Sequence, residues 1–110
     1  MAQNFQRTLN RNITLLASPQ ELRAATTTND AIIGIRCTNT SGVSVDVTVY
    51  IKRSSTNYYI IKGAPIPTGG SLELIDGGSK VVLQTGDSVE AYASAATSVD
   101  IILSVVDSIR

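Results

Sequence analysis

The sequence has no histidine, no tryptophan and only one cysteine, Cys37. Without histidine, the chain lacks the residue that most often serves as general base, as zinc ligand, or as the middle member of Ser-His-Asp and Cys-His sites. A single cysteine cannot form an intramolecular disulfide, and Cys37 shares an alternating apolar pattern with Ile33 and Ile35. We interpret Cys37 as a small core residue rather than a nucleophile. These absences exclude most hydrolase designs, and we expect a protein that is not an enzyme.

An excess of charge and a long apolar run are also missing. Nine Lys and Arg offset nine Asp and Glu, so the chain has no basic surplus to attract nucleic acid. No apolar run approaches the roughly 18 residues that span a bilayer, and the first residues lack the apolar centre of a secretion signal. We therefore expect neither nucleic acid nor membrane as a partner, and synthesis in a cytoplasm.

Local signatures of bound metals and cofactors are absent as well. The carboxylates do not follow the Asp-x-Asp-x-Asp spacing of a calcium loop. The glycine pairs at 69–70 and 77–78 do not lead from a strand into a helix whose N-terminus would receive a phosphate, so they are turns. We predict no metal site and no cofactor.

What the sequence does have is alternation of apolar and polar residues, most clearly over residues 43–52. This pattern predicts a half-buried strand. The side chains expected to face the core are Val43, Val45, Val47, Val49 and Ile51. Those expected to face water or a neighbour are Ser44, Asp46, Thr48, Tyr50 and Lys52.

Similar short segments, separated by turn residues, predict about eight strands and almost no helix. Residues 31–38 and 43–52 are expected to form a hairpin around the turn at 39–42, with Ile33, Ile35 and Cys37 on one face. A second hairpin is expected to join 71–75 to 80–84 through Asp76, Gly77 and Gly78. Further strands are expected near 21–25, at 57–62 ending at the prolines, at 88–93 and from 99 to 105. The fold class is all-β: an antiparallel β-sandwich, or a jelly-roll-like fold, with one core.

The N-terminal part is the least regular. We predict that residues 1–28 form an extended segment or arm that reaches a neighbour, and that residues 29–110 form the β-sandwich domain. A short helix capped near Ser18 is the alternative for part of this segment.

Two strands are apolar on both faces, at residues 58–61 and 101–106. In a two-layer sandwich one face of each strand normally meets solvent, so the surplus apolar face indicates a contact with another subunit, or cover from the N-terminal segment. Tyr50 and Tyr92 lie on polar sides of their strands, where they are either cross-strand packing partners or interface anchors. The candidate interface residues are Tyr50, Tyr58, Tyr59, Tyr92, Ile102 and Val106.

Several segments together resemble small virion structural proteins of tailed bacteriophages. They are a strand end with asparagine at residues 37–40, an Ile-Pro link at 66–67 ahead of Gly70 and Leu72, a Val-Leu-x-x-Gly-Asp turn at 82–87 and a Ser-Ala-Ala bend at 94–96. The resemblance covers about residues 30 to 107. It implies a β-sandwich accessory protein of the decoration or cement type, attached to head, neck or tail and without catalytic residues to transfer.

The expected partners are therefore further copies of the chain, in a homo-oligomer such as a trimer, and other virion proteins. The expected location is the virion, after synthesis in the host cytoplasm. The alternative is an adhesion or carbohydrate-binding module, in which exposed loops at 54–58 and 64–70 carry specificity and Tyr58 or Tyr59 stacks on a host glycan.

Overall fold

A computed structural model describes residues 4–10, 13, 19–25, 29–74, 81–95 and 98–109. These residues form nine strands: β1 (Asn4–Asn10), β2 (Gln20–Ala24), β3 (Asn29–Asn39), β4 (Val45–Arg53), β5 (Thr56–Ile66), β6 (Ser71–Glu73), β7 (Val81–Leu83), β8 (Ser88–Ala93) and β9 (Val99–Ile109). Within these ranges there is no helix. The described residues therefore contain no helix long and apolar enough to cross a membrane.

The strands form two antiparallel sheets. Sheet A has the order β1-β9-β3, with β6 and β7 both pairing along the far side of β3. Sheet B has the order β2-β8-β4-β5. The predicted all-β antiparallel sandwich is confirmed.

The order of pairing is that of a jelly roll. Strand β1 pairs with β9, β2 with β8, β3 with β6 and β7, and β4 with β5, and these nested pairs alternate between sheets A and B. Along β6 and β7 the partner on β3 moves from Thr38 to Asp30, so the two short strands together act as one interrupted edge strand. Counted this way the sandwich has the eight strands of a jelly roll.

The core lies between the sheets and follows the period of two. The inward residues of β4, β8 and β9 are almost fully buried: Val45, Val47, Val49, Val89, Ala91, Ala93, Val99, Ile101, Leu103 and Val105. Cys37 is buried among them, as its apolar pattern predicts. Each fully buried aliphatic side chain contributes about 1.5–3 kcal/mol of transfer free energy, and this burial takes the place of a disulfide.

The predicted hairpin between residues 31–38 and 43–52 is wrong. Strand β3 belongs to sheet A and β4 to sheet B, so residues 40–44 cross from one sheet to the other. The buried Asn39 side chain holds this crossing: its Nδ2 donates to the carbonyls of Val43 (2.7 Å) and Ile66 (2.9 Å). Val43 lies in the link rather than in a strand, and it is exposed instead of facing the core.

The second predicted hairpin is wrong for a related reason. Strands β6 and β7 pair with β3 at successive positions and not with each other. The turn residues Asp76, Gly77 and Gly78 lie outside the described residues. Backbone pairing with the long strand β3 therefore replaces the local pairing that the glycines suggested.

The predicted common face for Ile33, Ile35 and Cys37 is also wrong at its first member. Between Ile32 and Gly34 the register of β3 against β9 shifts by one residue, which is a β-bulge. The bulge turns Ile33 outward, while Ile32 and Ile35 are both buried. One extra residue reverses the face to which the preceding residues belong.

The described parts of residues 1–28 do not stand apart from the sandwich. Strand β1 pairs with β9 over all seven residues, and β2 pairs with β8. Ile13, Leu22 and Ala25 belong to the core. The alternative of a helix near Ser18 is not found over Gln20–Ala24, which is a strand. Because β1 extends the edge of sheet A, it adds to the sheet's outer face instead of covering it.

Strand β5 does not end before the prolines. It continues through Pro65 to Ile66 and pairs with β4 on one side only. Proline is tolerated here because an edge strand has one side without a ladder partner.

Candidate functional site: the outer faces of the two sheets

Among the side chains that the structure describes, four large aliphatic ones are exposed on the outer face of sheet A. They are Leu9 at 62%, Ile33 at 38%, Val82 at 58% and Ile102 at 42%. We call this set the aliphatic face. Its members come from β1, β3, β7 and β9, so the pairing of distant segments creates it.

Strand register places these residues in rows across the sheet. Leu9 lies opposite Ile102. Four residues further along β9, Val106 lies opposite Ala31, which in turn lies opposite Val82. The row between them contains Arg7, Ser104 and Gly34. The aliphatic face is therefore two apolar rows separated by one row that is polar or without a side chain, with Ile33 projecting from the bulge beside it.

A charged pair borders the first apolar row. Arg36 lies opposite Ile102, and its Nε is 3.4 Å from Oε1 of Glu73. Both side chains are well exposed, so this pair contributes about 0–1 kcal/mol to stability. The other oxygen of Glu73 accepts the amide of Ile35 at 3.1 Å and so supports the bulge. An apolar centre with a charged border is the usual composition of a protein contact surface.

The outer face of sheet B is built from tyrosines. The ring of Tyr50 on β4 lies 5.6 Å from the ring of Tyr59 on β5 and 6.2 Å from that of Tyr92 on β8, with tilted planes in both pairs. These distances are typical of favourable aromatic pairs. The Nζ of Lys62 lies 4.9 Å from the ring centre of Tyr59, within cation-π range.

Tyr50 is only 2% exposed, although it points away from the core. Its hydroxyl donates to Oε1 of Glu90 at 2.7 Å. Burial, and then the hydrogen bond to the Glu90 carboxylate, raise the pKa of Tyr50 well above its usual value. Thr48 on the same face is also buried, and its Oγ1 accepts the amide of Gly63 at 3.0 Å. Thr48 and Tyr50 were expected to meet water or a neighbour; they are instead covered within the chain.

The six candidate interface residues separate into three places. Tyr50, Tyr59 and Tyr92 form the cluster on sheet B. Ile102 and the half-buried Val106 lie on the outer face of sheet A. Tyr58 lies opposite Ile51 on the other side of β5 from Tyr59 and is 59% exposed. In the isolated chain Tyr50 is therefore a cross-strand packing residue.

Sequence reasoning missed three members of the aliphatic face. Leu9 lies in the irregular N-terminal segment, Ile33 fits the core pattern until the bulge displaces it, and Val82 stands within an apolar run. No local signal identifies them, because their exposure depends on the bulge and on the edge position of β7.

The ionisable groups near the core have structural partners. Burial and the charge of Glu73 raise the pKa of the Cys37 thiol to about 12, so it stays protonated at neutral pH. Arg23 on β2 pairs with the buried Asp30 on β3 at 2.8 Å and so links the sheets. Within the described ranges, no three His, Cys, Asp or Glu side chains are grouped to hold a metal ion.

Asp87 joins the loop before β8 to the end of β4. Its carboxylate accepts from Arg53 at 2.5 Å and from the amide of Gln84 at 3.0 Å. Burial raises the pKa of Asp87, but these two hydrogen bonds and the Arg53 charge outweigh it, and the net pKa is below the usual value.

No protein-family model matches the chain, and no curated protein matches it.

Proposed function

We propose that this chain is a non-enzymatic structural protein of a bacteriophage virion, of the decoration or cement type, which associates with copies of itself and docks on head or tail proteins. The observation that carries the proposal is the aliphatic face: four exposed side chains on one side of sheet A, brought together by four strands. Apolar side chains grouped on one face of a sheet, as in these two rows, mark contact sites on proteins.

The size of the aliphatic face predicts how strong one contact is. Completing the burial of a half-covered aliphatic side chain contributes about 1 kcal/mol. A two-fold contact uses the four side chains of both copies and gains about 8 kcal/mol. The loss of overall translational and rotational freedom costs about 4 kcal/mol at the lower end of its range, which we use here. One such contact is therefore weak, with a dissociation constant of the order of 1 mM.

Weak single contacts suit a protein that acts on a symmetric particle. Subunits held on a lattice are at high effective concentration, so several weak contacts act together. Each copy also meets the same neighbours in the same way, as the symmetry of an assembly requires.

The motifs that carry the resemblance to virion proteins support the fold. Asn39 fixes the crossing between the sheets, and Asp87 accepts the Gln84 amide in the turn before β8. These roles fit a family whose common property is a fold and not an active site.

The self-association is tested by light scattering on the purified protein over a dilution series that reaches about 2 mM, above the expected dissociation constant. We expect a mass that rises with concentration towards a dimer, trimer or larger closed oligomer. A monomer at every concentration would contradict self-association through the aliphatic face.

Membership of the virion needs a separate test. Density-purified particles from lysates in which the chain is made are analysed by quantitative mass spectrometry. We expect a copy number per particle that is a multiple fixed by head or tail symmetry. Recovery of the chain only in the soluble fraction, with none in particles, would contradict the proposal.

A second candidate, a carbohydrate-binding module, is favoured by one observation. Tyr59 is 46% exposed and is backed by Tyr50, with Lys62 beside it, and such a rigid ring is able to stack on a sugar. Glycan-array binding that is lost with Tyr59→Ala and kept with Tyr58→Ala, on the opposite side of β5, would favour this candidate. No binding by the unmodified chain would remove it.

A further inference from the structure

The two open sheets have four edges, and an unprotected edge pairs readily with another strand. In sheet A the edges are β1 and the interrupted strand made of β6 and β7. In sheet B they are β2 and β5. Natural proteins protect such edges by short or interrupted strands, bulges, prolines and inward charges.

Three of the edges carry these protections. Strand β5 contains Pro65, has a left-handed residue at Gly63 (φ 66°) and shifts register twice against β4. Strand β2 has five residues, with a bulge between Glu21 and Arg23. Strands β6 and β7 have three residues each. A further strand would meet an irregular ladder at each of these edges.

Strand β1 has none of these interruptions, and Arg7 is its one charged residue. Its seven residues contain no proline and no glycine, and they pair with β9 without a register shift from Asn4 opposite Asp107 to Asn10 opposite Ile101. Among the described residues β9 is the only strand that pairs with it. Strand β1 is therefore the one regular edge among the four.

We propose that β1 of one copy pairs antiparallel with β1 of a second copy about a two-fold axis, which joins the two A sheets into one continuous sheet. This inference rests on the self-association under the proposed function and adds a contact at the sheet edge to the contact through the aliphatic face. A second copy is the occupant because a two-fold axis makes one edge complementary to itself. Backbone hydrogen bonds between the strands add to the weak apolar contact.

Strand β1 is also the edge strand that contributes Leu9 to the aliphatic face, which favours this edge over the others. Leu9 belongs to β1 and is exposed beside Ile102. Pairing at β1 therefore places the aliphatic faces of the two copies side by side on one surface, where each stays available for the contact through the aliphatic face.

The residues of β1 decide the register. An axis at Arg7 would place two arginines opposite each other, and like charges in that position are unfavourable. An axis at Thr8 places Thr8 opposite Thr8 and Leu9 opposite Arg7, and threonine pairs are favourable across strands. We therefore place the axis at Thr8.

Single-cysteine variants test this geometry in the full chain. Cys37 is fully buried and its thiol pKa is about 12, so it stays silent under mild oxidation. Cysteine is introduced singly at Arg7, Thr8 or Leu9, with Val43→Cys as the control, because Val43 is as exposed as Leu9 but lies outside both sheets. We expect the yield of disulfide dimer on a non-reducing gel to be highest at Thr8, several-fold above the control.

Two variants with opposite charges at Thr8 give a second test of the same pairing. Thr8→Lys and Thr8→Glu each place like charges at the axis, so each variant alone is expected to associate more weakly than the unmodified protein by light scattering. Their equimolar mixture is expected to regain the lost association. Thr8 is half-buried and lies opposite the buried Leu103, so the melting temperature of each variant is measured to show that the fold persists. If the two substitutions acted only by unfolding the protein, mixing the variants would not restore their association.

The outcomes separate this inference from the proposed function. If the unmodified protein associates but no β1 position cross-links above Val43→Cys and mixing restores nothing, β1 pairing is wrong while self-association stands. If the unmodified protein stays monomeric throughout, self-association itself fails, and the β1 pairing fails with it.

Discussion

The outer faces of sheets A and B differ in how they are covered. On sheet B, the outward Tyr50 is almost fully buried beneath Tyr59 and Tyr92, and its hydroxyl has a partner in Glu90. On sheet A, the large apolar residues that point outward are aliphatic, and Leu9 and Ile102 stay exposed although they lie opposite each other.

The difference follows from side-chain chemistry. A tyrosine ring is wide enough to cover its cross-strand neighbour, and its polar end is satisfied at the surface. Branched aliphatic side chains are too short to cover one another on a flat sheet, and they have no polar end. Sheet B therefore covers Tyr50 within the chain, whereas sheet A leaves aliphatic side chains exposed on its outer face.

The largest expected effect contrasts one outward residue from each sheet. Tyr50→Ala removes a buried ring and is expected to lower the free energy of unfolding by about 3–5 kcal/mol. Ile102→Ala removes a side chain that is already half in water, and is expected to cost less than about 1 kcal/mol. Urea denaturation of dilute samples measures both. Equal losses would show that the two faces do not differ in this way.

The polar end of Tyr50 gives the next effect. Tyr50→Phe keeps the ring but leaves the Glu90 carboxylate without this donor, so a loss of about 1–3 kcal/mol is expected. Tyr58→Phe is the matched control, because Tyr58 is largely exposed, and should change stability little. If both substitutions have the same small effect, the Tyr50 hydroxyl does not stabilise sheet B.

The turn of the β4–β5 hairpin is a weak point within sheet B. Ser54 and Ser55 adopt positive φ values of 51° and 66°, which favour Asn-Gly over other residues. The double substitution Ser54→Asn and Ser55→Gly is expected to raise the free energy of unfolding by about 1 kcal/mol. A lower melting temperature in this variant would mean that the serines make contacts which outweigh the backbone strain.

The smallest effect is a pH dependence at the end of sheet B. The pKa of Asp87 is lowered in the folded chain, so its contribution is present above the usual value of 3.8 and is lost as the pH falls through the lower folded value. Between pH 5 and strongly acidic solution, Asp87→Asn should therefore lose less stability than the unmodified protein. Parallel losses, measured as urea midpoints at each pH, would contradict the stabilising role of the ionised carboxylate.

Much of the fold follows from local pattern. The alternation in β4 and β8 identifies which residues face the core, because a strand with one face toward the core and the other toward solvent has a period of two. The spacing of turn residues gives the number of strands. Both depend only on neighbours in sequence.

Which strands pair does not follow from that pattern. Residues 39–42 have the composition of a hairpin turn, yet the Asn39 side chain directs the chain into the other sheet. A turn sequence specifies a reversal of direction but not the sheet in which the next strand continues. Long-range pairing along β3 likewise decides the places of β6 and β7.

The candidate surface was predictable only in part. Apolar residues on both sides of β9 mark Ile102 as a surface contact, because only one side of a strand meets the core. Ile33 is not marked, since the bulge that exposes it is a property of the β3–β9 register. The tyrosine cluster needs three strands to be adjacent before the rings meet.

The association constant of two lysine variants tests the central claim, that the outer face of sheet A is the association surface. Ile102→Lys introduces a charge into the aliphatic face, while Val43→Lys introduces the same charge at an equally accessible aliphatic site outside both sheets. We predict that light scattering gives a lower association constant for Ile102→Lys than for the unmodified protein and Val43→Lys, which are expected to associate equally. Unchanged association of Ile102→Lys, or equal losses in both variants, would contradict the account.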